Sequence, residues 1–397
     1  NLTVLSALAN QCFMNEYIYD VTDEEKNALK GLEAYVKDVL SDGKYLNPSL
    51  VLCLASYKPL HQYEWNDLLK SYDGIEDVYA RQLLEPMKET ELKGEIPVLK
   101  QIENKISLKV KKQFENNPFP KWINLGLTLN PKRISEFTQQ ANLRLIDQGV
   151  CNVINPNILI AGCGTGQHSI TSASRFKNCN VLGVDFSLAS LAYAKRKTEE
   201  FGMKNINYVQ ADILDLRKLD QQFDIIESVG VLHHLEDPMA GWTVLSEILK
   251  PGGLMLVGLY SKLGRNSVTE MQKYLKKRFD GSDDNAIRSF RSSVIKSEKE
   301  FDKKVRSYDY FFSCTEIKDL LFPAQEHLFT IPEISSCLHT LDLRFCGFAN
   351  AKIIEKFKKK YKIVDDCYDL DKWASYEAQE TSTFSNMYTF WCQKVVK

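Results

Sequence analysis

The stretch NILIAGCGTGQHSI, residues 157–170, decides the fold class of this chain. Its first part is an apolar run of strand length, its last part begins a helix, and three glycines stand between them. Gly162, Gly164 and Gly166 let the backbone pass close to a ligand, and the free amides of the helix start would face that ligand. A dinucleotide-binding turn would place another glycine where Gln167 stands. The stretch therefore predicts a strand–turn–helix unit of a different kind, with a glycine turn that holds no ligand as the alternative.

Further short apolar runs alternate with segments of helix length. They read CNVLGVD (179–185), NINYVQAD (205–212), FDIIESV (223–229), GLMLVGLY (253–260), RFCGF (344–348) and NMYTFWCQKV (386–395). Near-continuous apolar strands that are joined by crossover helices form parallel sheets covered on both faces. The sequence therefore predicts an α/β fold.

Two acidic residues follow the strands next to the glycine turn. Asp185 ends the second predicted strand and Asp212 ends the third. A carboxylate at the first position can accept hydrogen bonds from both hydroxyls of a ribose. One at the second position can accept from an adenine amino group. Each acid alone could equally be a loop cap, but both in this order favour a bound nucleoside.

The segments AGCGTG, GVDFS, QADI, ESVGVLHHLEDP and LKPGG resemble class I S-adenosylmethionine (SAM)-dependent methyltransferases throughout residues 157–260. The resemblance implies SAM as cofactor and S-adenosylhomocysteine as product. It also implies a Rossmann-like sheet of seven strands, mostly parallel, with the last strand antiparallel. A helical N-terminal domain and insertions would complete the chain.

The resemblance also implies which residues bind SAM. The glycine turn would hold the methionine part, Asp185 the ribose and Asp212 the adenine. The full predicted set is Ala161, Gly162, Cys163, Gly164, Gly166, Gln167, His168, Asp185, Phe186, Ser187, Ala211, Asp212, Ile213, Ser228, Val229, Gly230 and His233. Many members carry an acidic residue two positions before the first glycine, where this chain has Ile160. Glu227 is then a candidate to meet the cofactor's ammonium group, or else a solvated strand end.

The segment FENNPFPKW, residues 114–122, is close to the Asn-Pro-Pro-Phe loop of enzymes that methylate amino groups on bases. That loop follows strand four, whereas this segment precedes the glycine turn and has Phe119 between its prolines. We therefore interpret it as a stiff bend, because two prolines fix the backbone. Phe119 and Trp122 are either packing anchors or a lid over the cofactor.

The predicted organisation has five parts: a helical N-terminal domain (1–113), a linker or lid (114–150), the SAM-binding core (151–260), an insertion (261–330), and the completion of the sheet (331–397) with an insertion at 350–385. The insertion at 261–330 would form one wall of the acceptor site or mediate a homodimer. FENNPFPKW after a helical domain with QCFMNEYIY resembles a bacterial methyltransferase group, some of whose members carry tetratricopeptide repeats. The layout is similar to that of rickettsial protein-lysine methyltransferases.

Candidate proton acceptors are His233, Glu326 and His327. His233 either takes a proton from the acceptor or only packs against SAM. Glu326 and His327 either cap the following helix or belong to the acceptor pocket. His233 and His234 have no further ligand at metal spacing, so no metal is expected.

The charge balance and the cysteines limit which partners and which cellular compartment are expected. Lys+Arg (51) and Asp+Glu (52) balance, so nucleic acid is not an expected partner. The ten cysteines form no Cys-x-x-Cys pair, which fits a cytoplasmic protein, and no apolar run approaches a membrane span. The layout, with a large helical domain and insertions at 261–330 and 350–385, favours a protein side chain, lysine above all, as acceptor, and the resemblance agrees. A small-molecule acceptor and a SAM-binding scaffold without catalysis are the alternatives.

Overall fold

The computed structural model describes residues 1–104, 107, 108, 115, 118–279, 281 and 283–396. The chain forms two compact units. The helical unit comprises Asn1–Glu91 and Glu270–Pro323, and the sheet unit comprises Leu92–Thr269 and Ala324–Lys397. The domain boundary predicted between residues 113 and 114 lies outside the described residues.

The sheet unit is built on seven strands: β1 (Asn157–Ala161), β2 (Asn180–Asp185), β3 (Ile206–Gln210), β4 (Phe223–Val229), β5 (Leu249–Tyr260), β6 (Leu343–Phe348) and β7 (Met387–Lys394). Their order in the sheet is β3-β2-β1-β4-β5-β7-β6. The first five strands are parallel, and β7 is antiparallel to both β5 and β6. The predicted fold class is thus confirmed.

The described helices are α1 (Leu2–Met14), α2 (Asp23–Ser41), α3 (Pro48–Ala55), α4 (Glu76–Tyr79), α5 (Glu85–Lys93), α6 (Ile134–Gln140), α7 (Gln167–Arg175), α8 (Leu188–Glu200), α9 (Pro238–Ile248), α10 (Asn266–Lys276), α11 (Asp284–Ile295), α12 (Glu300–Arg306), α13 (Cys314–Leu321), α14 (Ile331–Thr340), α15 (Ala351–Lys360) and α16 (Leu370–Gln379). A π-helical turn, Ala80–Leu84, joins α4 to α5. In the part of the chain that the structure describes, no helix combines the length and the apolar character needed to cross a bilayer.

The strands are apolar on both sides because both faces of the sheet are covered. Leu159 and Ala161 of β1 belong to one buried cluster with Trp242. Ile158 and Ile160 of the same strand point into a second cluster on the other face. This double burial explains the near-continuous apolar runs in the sequence.

The helical unit has its own core and joins two distant parts of the chain. Val36, Leu52 and Trp65 lie in a buried cluster formed by residues 9–83. After α1, the carboxylate of Glu16 accepts hydrogen bonds from the amide and the hydroxyl of Thr315, both at 2.7 Å. These contacts fasten the start of α13 to the end of α1.

Candidate active site

The glycine turn lies at the carboxyl end of β1, beside the end of β2. The amides of Gly162 and Cys163 donate to the carbonyl of Val184 at 2.8 and 2.9 Å. Gly166 has φ +83°, and a Cβ there would lie 2.6 Å from the Cβ of Ala194 in α8. The turn therefore needs glycine both for its backbone conformation and for the close approach of α7 to α8.

Asp185 is held against this turn. Its carboxylate accepts from the amides of Gly164 and Ser187, both at 2.9 Å. Burial raises its pKa to about 6, although the backbone hydrogen bonds act in the opposite direction. A carboxylate has about four acceptor positions, so Asp185 keeps capacity for ribose hydroxyls. Ser187 caps α8, and Phe186 lies half-buried between these two residues.

The residues after β3 lie next to Asp185. The amide of Ala211 donates to the carbonyl of Asp185 at 3.0 Å. The carboxylate of Asp212 accepts from the amide of Leu214 at 3.0 Å, so Asp212 is a loop cap at the predicted adenine position. Ile213 is buried beside it.

The end of β4 lies next to the end of β1, on the side opposite β2. Ser228 is fully buried, and its hydroxyl has no hydrogen-bond partner among the described residues. Gly230 has φ +79°, and its amide donates to the carbonyl of Gly258 at 3.2 Å. Val229 packs on the core between them. An unpartnered buried hydroxyl fits a site that a polar ligand completes.

Glu227 does not have the environment of a solvated strand end. It is fully buried, with Arg175 Nη1 at 3.2 Å, His168 Nε2 at 2.5 Å and the hydroxyl of Ser172 at 2.5 Å. Burial alone would raise its pKa, but Arg175, His168 and the hydrogen bonds lower it to about 2. The first residue of α7, Gln167, is half-buried. Glu227 thus fastens α7 to β4 and already has its charge partners within the protein.

The segment after the two prolines lies directly on the glycine turn. Trp122 is buried, and its indole N–H donates to the carbonyl of Thr165 at 3.2 Å. The hydroxyl of Thr165 donates to the carbonyl of Pro120 at 2.6 Å. A Cβ on Gly164 would lie 3.0 Å from the carbonyl oxygen of Phe119. Asn117, the residue corresponding to the amine-binding Asn of the Asn-Pro-Pro-Phe loop, lies outside the described residues.

His233 lies just beyond β4 in an entirely buried position. Its ring stacks on that of Tyr260, with centroids 3.7 Å apart. Neither ring nitrogen has a hydrogen-bond partner among the described residues. Burial lowers the pKa of His233 well below its usual range, and His234, Arg265 and His327 lower it further. The imidazole is therefore uncharged, and its surroundings disfavour protonation.

Glu326 and His327 lie beside His233. The amide of His327 donates to the carbonyl of His233 at 2.8 Å. Glu326 forms an ion pair of 2.9 Å with the buried Arg265. Helix α14 is capped instead by Thr330, whose hydroxyl accepts from the amide of Glu333. The three predicted proton acceptors are thus brought together at the carboxyl ends of β4 and β5.

Residues 158–253 match the family model described as "Methyltransferase domain". This part of the chain is a class I methyltransferase domain. Its cofactor is SAM, and the glycine turn, the spare acceptor capacity of Asp185 and the orphan hydroxyl of Ser228 fit such a ligand. The match covers the region in which the sequence motifs lie, so the predicted class is confirmed.

Two curated relatives match only part of the chain. An uncharacterized protein of Synechococcus sp. is 37% identical over 119 residues, which are 30% of this chain and 28% of that protein. The ubiquinone biosynthesis O-methyltransferase of Coxiella burnetii is 33% identical over 150 residues, 38% of this chain and 57% of that protein. This chain therefore spans between about a quarter and a little over half of these relatives.

One solved structure shares the fold over a larger part of the chain. It is described as PKMT2 from Rickettsia typhi in complex with AdoHcy. It covers 70% of this chain and 55% of its own, with a TM-score of 0.50 and 14% sequence identity. At this identity the similarity concerns the fold alone.

Sequence reasoning missed several residues that build the site. The ring of Tyr260 stacks on that of His233, and Arg265 lies over the ring of Tyr260. Arg175 pairs with Glu227. Tyr193 receives the amide N–H of Trp122 at 3.2 Å. Tyr260 ends a predicted strand and was available as a signal. An isolated arginine in a loop or helix carries no comparable pattern.

Proposed function

We propose that the protein is a SAM-dependent methyltransferase whose acceptor is a lysine side chain of another protein. The observation that carries the proposal is the uncharged, buried His233 at the carboxyl end of β4, next to the predicted cofactor residues. The surroundings that keep this imidazole uncharged also disfavour an ammonium ion. An amine that enters would therefore bind in its neutral, nucleophilic form.

In such a reaction, the residues of this chain would bind the cofactor and position the amine. SAM, when bound, supplies an activated methyl group on a sulfonium. The glycine turn and Asp185 would hold the cofactor, with Asp212 and Ser228 beside it. The uncharged His233 would accept a hydrogen bond from the attacking amine and so orient it, with Glu326 and His327 beside it. Positioning alone can lower a barrier by about 7–11 kcal/mol.

A small-molecule hydroxyl is the second candidate acceptor. It is favoured by the 33% identity to a ubiquinone biosynthesis O-methyltransferase over 150 residues. The uncharged His233 could accept a hydrogen bond from a hydroxyl as well as from an amine. The ten free cysteines support a reducing compartment such as the cytoplasm for either reaction. A homodimer through the segment 261–330 stays part of the proposal.

The test is a transfer assay with SAM that carries a radioactive methyl group. The protein is incubated with a cell extract, which is then separated into protein and small-molecule fractions. Label on protein, with mass spectrometry locating added methyl groups on lysines, supports the first proposal. Label only in small molecules supports the second, and SAM binding without label in either fraction supports a scaffold. Asp185→Ala is the inactive control, and Asp215→Ala is the matched control outside the predicted site.

A further inference from the structure

Two segments of the sheet unit run side by side at the point where residues 270–323 are inserted. The amide of Phe329 donates to the carbonyl of Tyr260 at 2.9 Å, and the amide of Lys262 donates to the carbonyl of Phe329 at 2.8 Å. Ser261 and Phe329 form a parallel bridge. We call residues 260–265 and 325–329 the stem, because the inserted segment leaves and re-enters the sheet unit through them.

Arg265 lies at the centre of the stem and is completely buried. One guanidinium nitrogen, Nη2, lies 2.9 Å from Oε2 of Glu326, and the other, Nη1, donates to Oδ1 of Asn386 at 2.6 Å. The guanidinium carbon lies 3.6 Å from the centroid of the Tyr260 ring. A buried guanidinium with two fixed partners and an aromatic face has little freedom to move.

The ring of Tyr260 also stacks on the imidazole of His233, which lies beside the predicted SAM-binding residues. The imidazole and phenol rings are nearly parallel, at 25°, with centroids 3.7 Å apart. The stem also binds the loop of His233 through its backbone, since Gln325 and His327 contact His234 and His233 at 2.9 and 2.8 Å. Because neither ring nitrogen of His233 is bound within the described residues, stacking is what orients its imidazole.

We propose that Arg265 is a positioning residue, which, paired with Glu326 and stacked on Tyr260, fixes the imidazole of His233 for the transfer reaction. The role in transfer rests on the proposed function, whereas the placement of the imidazole does not. Arg265 itself needs no contact with SAM or with the acceptor.

Electrostatics give Arg265 a second effect on the same ring. The charged and titratable groups that face His233 are Arg265, His234 and His327, with Glu326 paired to Arg265 and Tyr260 stacked on the ring. Burial is the main reason for the lowered pKa of His233, and the positive charge of Arg265 adds to it. Removal of that charge should therefore move the pKa of His233 upward, towards its usual range.

The design of the variants follows from the ion pair. Arg265→Met alone would leave the buried carboxylate of Glu326 without its partner. The double variant Arg265→Met with Glu326→Gln removes both charges and keeps similar volumes. Arg265→Lys keeps the charge but not the planar stack. Tyr260→Leu removes the ring between Arg265 and His233 and leaves the ion pair intact.

A more exposed pair beside the edge strand β6 provides a control, since the amide of Arg144 donates to the carbonyl of Cys346. Arg144 also lies over a tyrosine, 4.7 Å from the ring centroid of Tyr368, and is paired with Asp365. The double variant Arg144→Met with Asp365→Asn removes an ion pair and a cation–π contact that involve neither Tyr260 nor His233.

The test follows the imidazoles by NMR in protein labelled with ¹⁵N-histidine. The chain has six histidines, and His233→Gln assigns the signal of interest. In the wild-type protein, His233 should stay uncharged through the pH range in which an ordinary imidazole becomes charged. In the double variant and in Tyr260→Leu, its ¹⁵N shifts should change. The double variant should also begin to titrate at higher pH, whereas the Arg144 control should match wild type.

Transfer kinetics provide the second readout. A misplaced imidazole should lower kcat by about tenfold to a hundredfold. Arg265→Lys should restore part of this loss. Folded variants whose His233 shifts, titration and kcat equal those of wild type would overturn the proposal. Absence of any methyl transfer by the wild-type protein would instead refute the proposed function, and the NMR result would still decide the positioning role.

Discussion

Trp122 and Thr165 are joined by a hydrogen bond of 3.2 Å from the indole N–H to the backbone carbonyl. This bond fastens the segment after the two prolines to the middle of the glycine turn. Lys197 covers the indole from the other side, with its Nζ 5.0 Å from the ring centroid and bound to the carbonyl of Ile123. The segment is thus tied to the turn that is predicted to bind SAM, which supports both the anchor and the lid interpretation.

Replacement of Trp122 should therefore weaken SAM binding as well as stability. Trp122→Ala removes a buried aromatic ring, which destabilises a protein by about 3–5 kcal/mol. It should also raise the Kd for SAM by about tenfold, equivalent to about 1.4 kcal/mol. Trp122→Phe keeps a ring but loses the bond to Thr165, so it should cost only about 1 kcal/mol. Calorimetry and denaturant unfolding measure both effects, and an unchanged Kd in Trp122→Ala would leave only the anchor.

Gly166 offers a prediction with a built-in control. An alanine there would bring its Cβ to 2.6 Å from Cβ and 2.9 Å from Cα of Ala194, besides adopting a positive φ. Gly202 has φ +67° with no atom within 4 Å of such a Cβ. Gly202→Ala should therefore cost only the backbone strain, about 1–2 kcal/mol, and leave the Kd for SAM unchanged. Gly166→Ala should be less stable still and bind SAM more weakly. Equal unfolding free energies for the two variants would contradict this.

The sheet was predictable because its signals are local. Each strand is a short apolar run, and the glycine turn and the two acids stand at strand ends, where parallel topology brings them to one edge. The seven strands and the antiparallel β7 follow from those runs and from the resemblance that they carry. The positions of Asp185, Asp212 and His233 at one edge needed no knowledge of side-chain contacts.

The remaining features depend on contacts between distant residues. Thr315 and Glu16 are in contact although 299 positions separate them in the sequence. No local sequence pattern therefore predicts that residues 270–323 pack with the first helices. Arg265 is an ordinary arginine until Tyr260, Glu326 and Asn386 surround it. The sequence offered Glu227 either as a partner of the cofactor's ammonium group or as a solvated strand end, because its actual partner, Arg175, lies on a helix earlier in the chain. The hydrophobic periodicity of a sequence does not show which charged residues pair over such distances.

Glu227→Gln should strongly destabilise the sheet unit. The substitution leaves Arg175, whose side chain is 23% exposed, without its counter-charge, and the loss of a hydrogen bond to a charged group costs about 1.5–3 kcal/mol. Glu103→Gln is the matched control in the same unit, because Glu103 pairs with Lys100 at 3.0 Å on the surface. Its unfolding midpoint should stay close to that of wild type.

The lowered pKa of Glu227 predicts that the free energy of unfolding decreases at acidic pH. The pKa of Glu227 falls from its usual 4.5 to about 2 in the folded protein. Its contribution is therefore complete above pH 4.5 and is lost as the pH falls towards 2. Denaturant unfolding at a series of pH values should show this loss in wild type and a smaller one in Glu227→Gln. Parallel profiles for the two proteins would show that Glu227 is not the ionised partner of Arg175.

Asp185 predicts a pH dependence of opposite sign. Burial raises its pKa from the usual 3.8 to about 6, so in the ligand-free protein it favours folding in its protonated form. This contribution to stability is complete below pH 3.8 and is lost as the pH rises through about 6. Asp185→Asn removes the titrating group, and its unfolding free energy should lack this slope.

SAM binding should respond to Asp185 in the reverse direction, because ribose hydroxyls donate to the ionised carboxylate. Affinity for SAM should fall as the pH drops through about 6, by up to about tenfold for each further pH unit. Calorimetry in buffers of different ionisation enthalpy should detect proton release on binding near that pH. Asp185→Asn should bind SAM weakly, with a loss of about 2–3 kcal/mol, and without this pH dependence. Asp224→Asn, a buried acid at the other end of β4, should keep the wild-type dependence. A wild-type affinity that is constant between pH 7 and pH 5 would exclude Asp185 as the ribose acceptor.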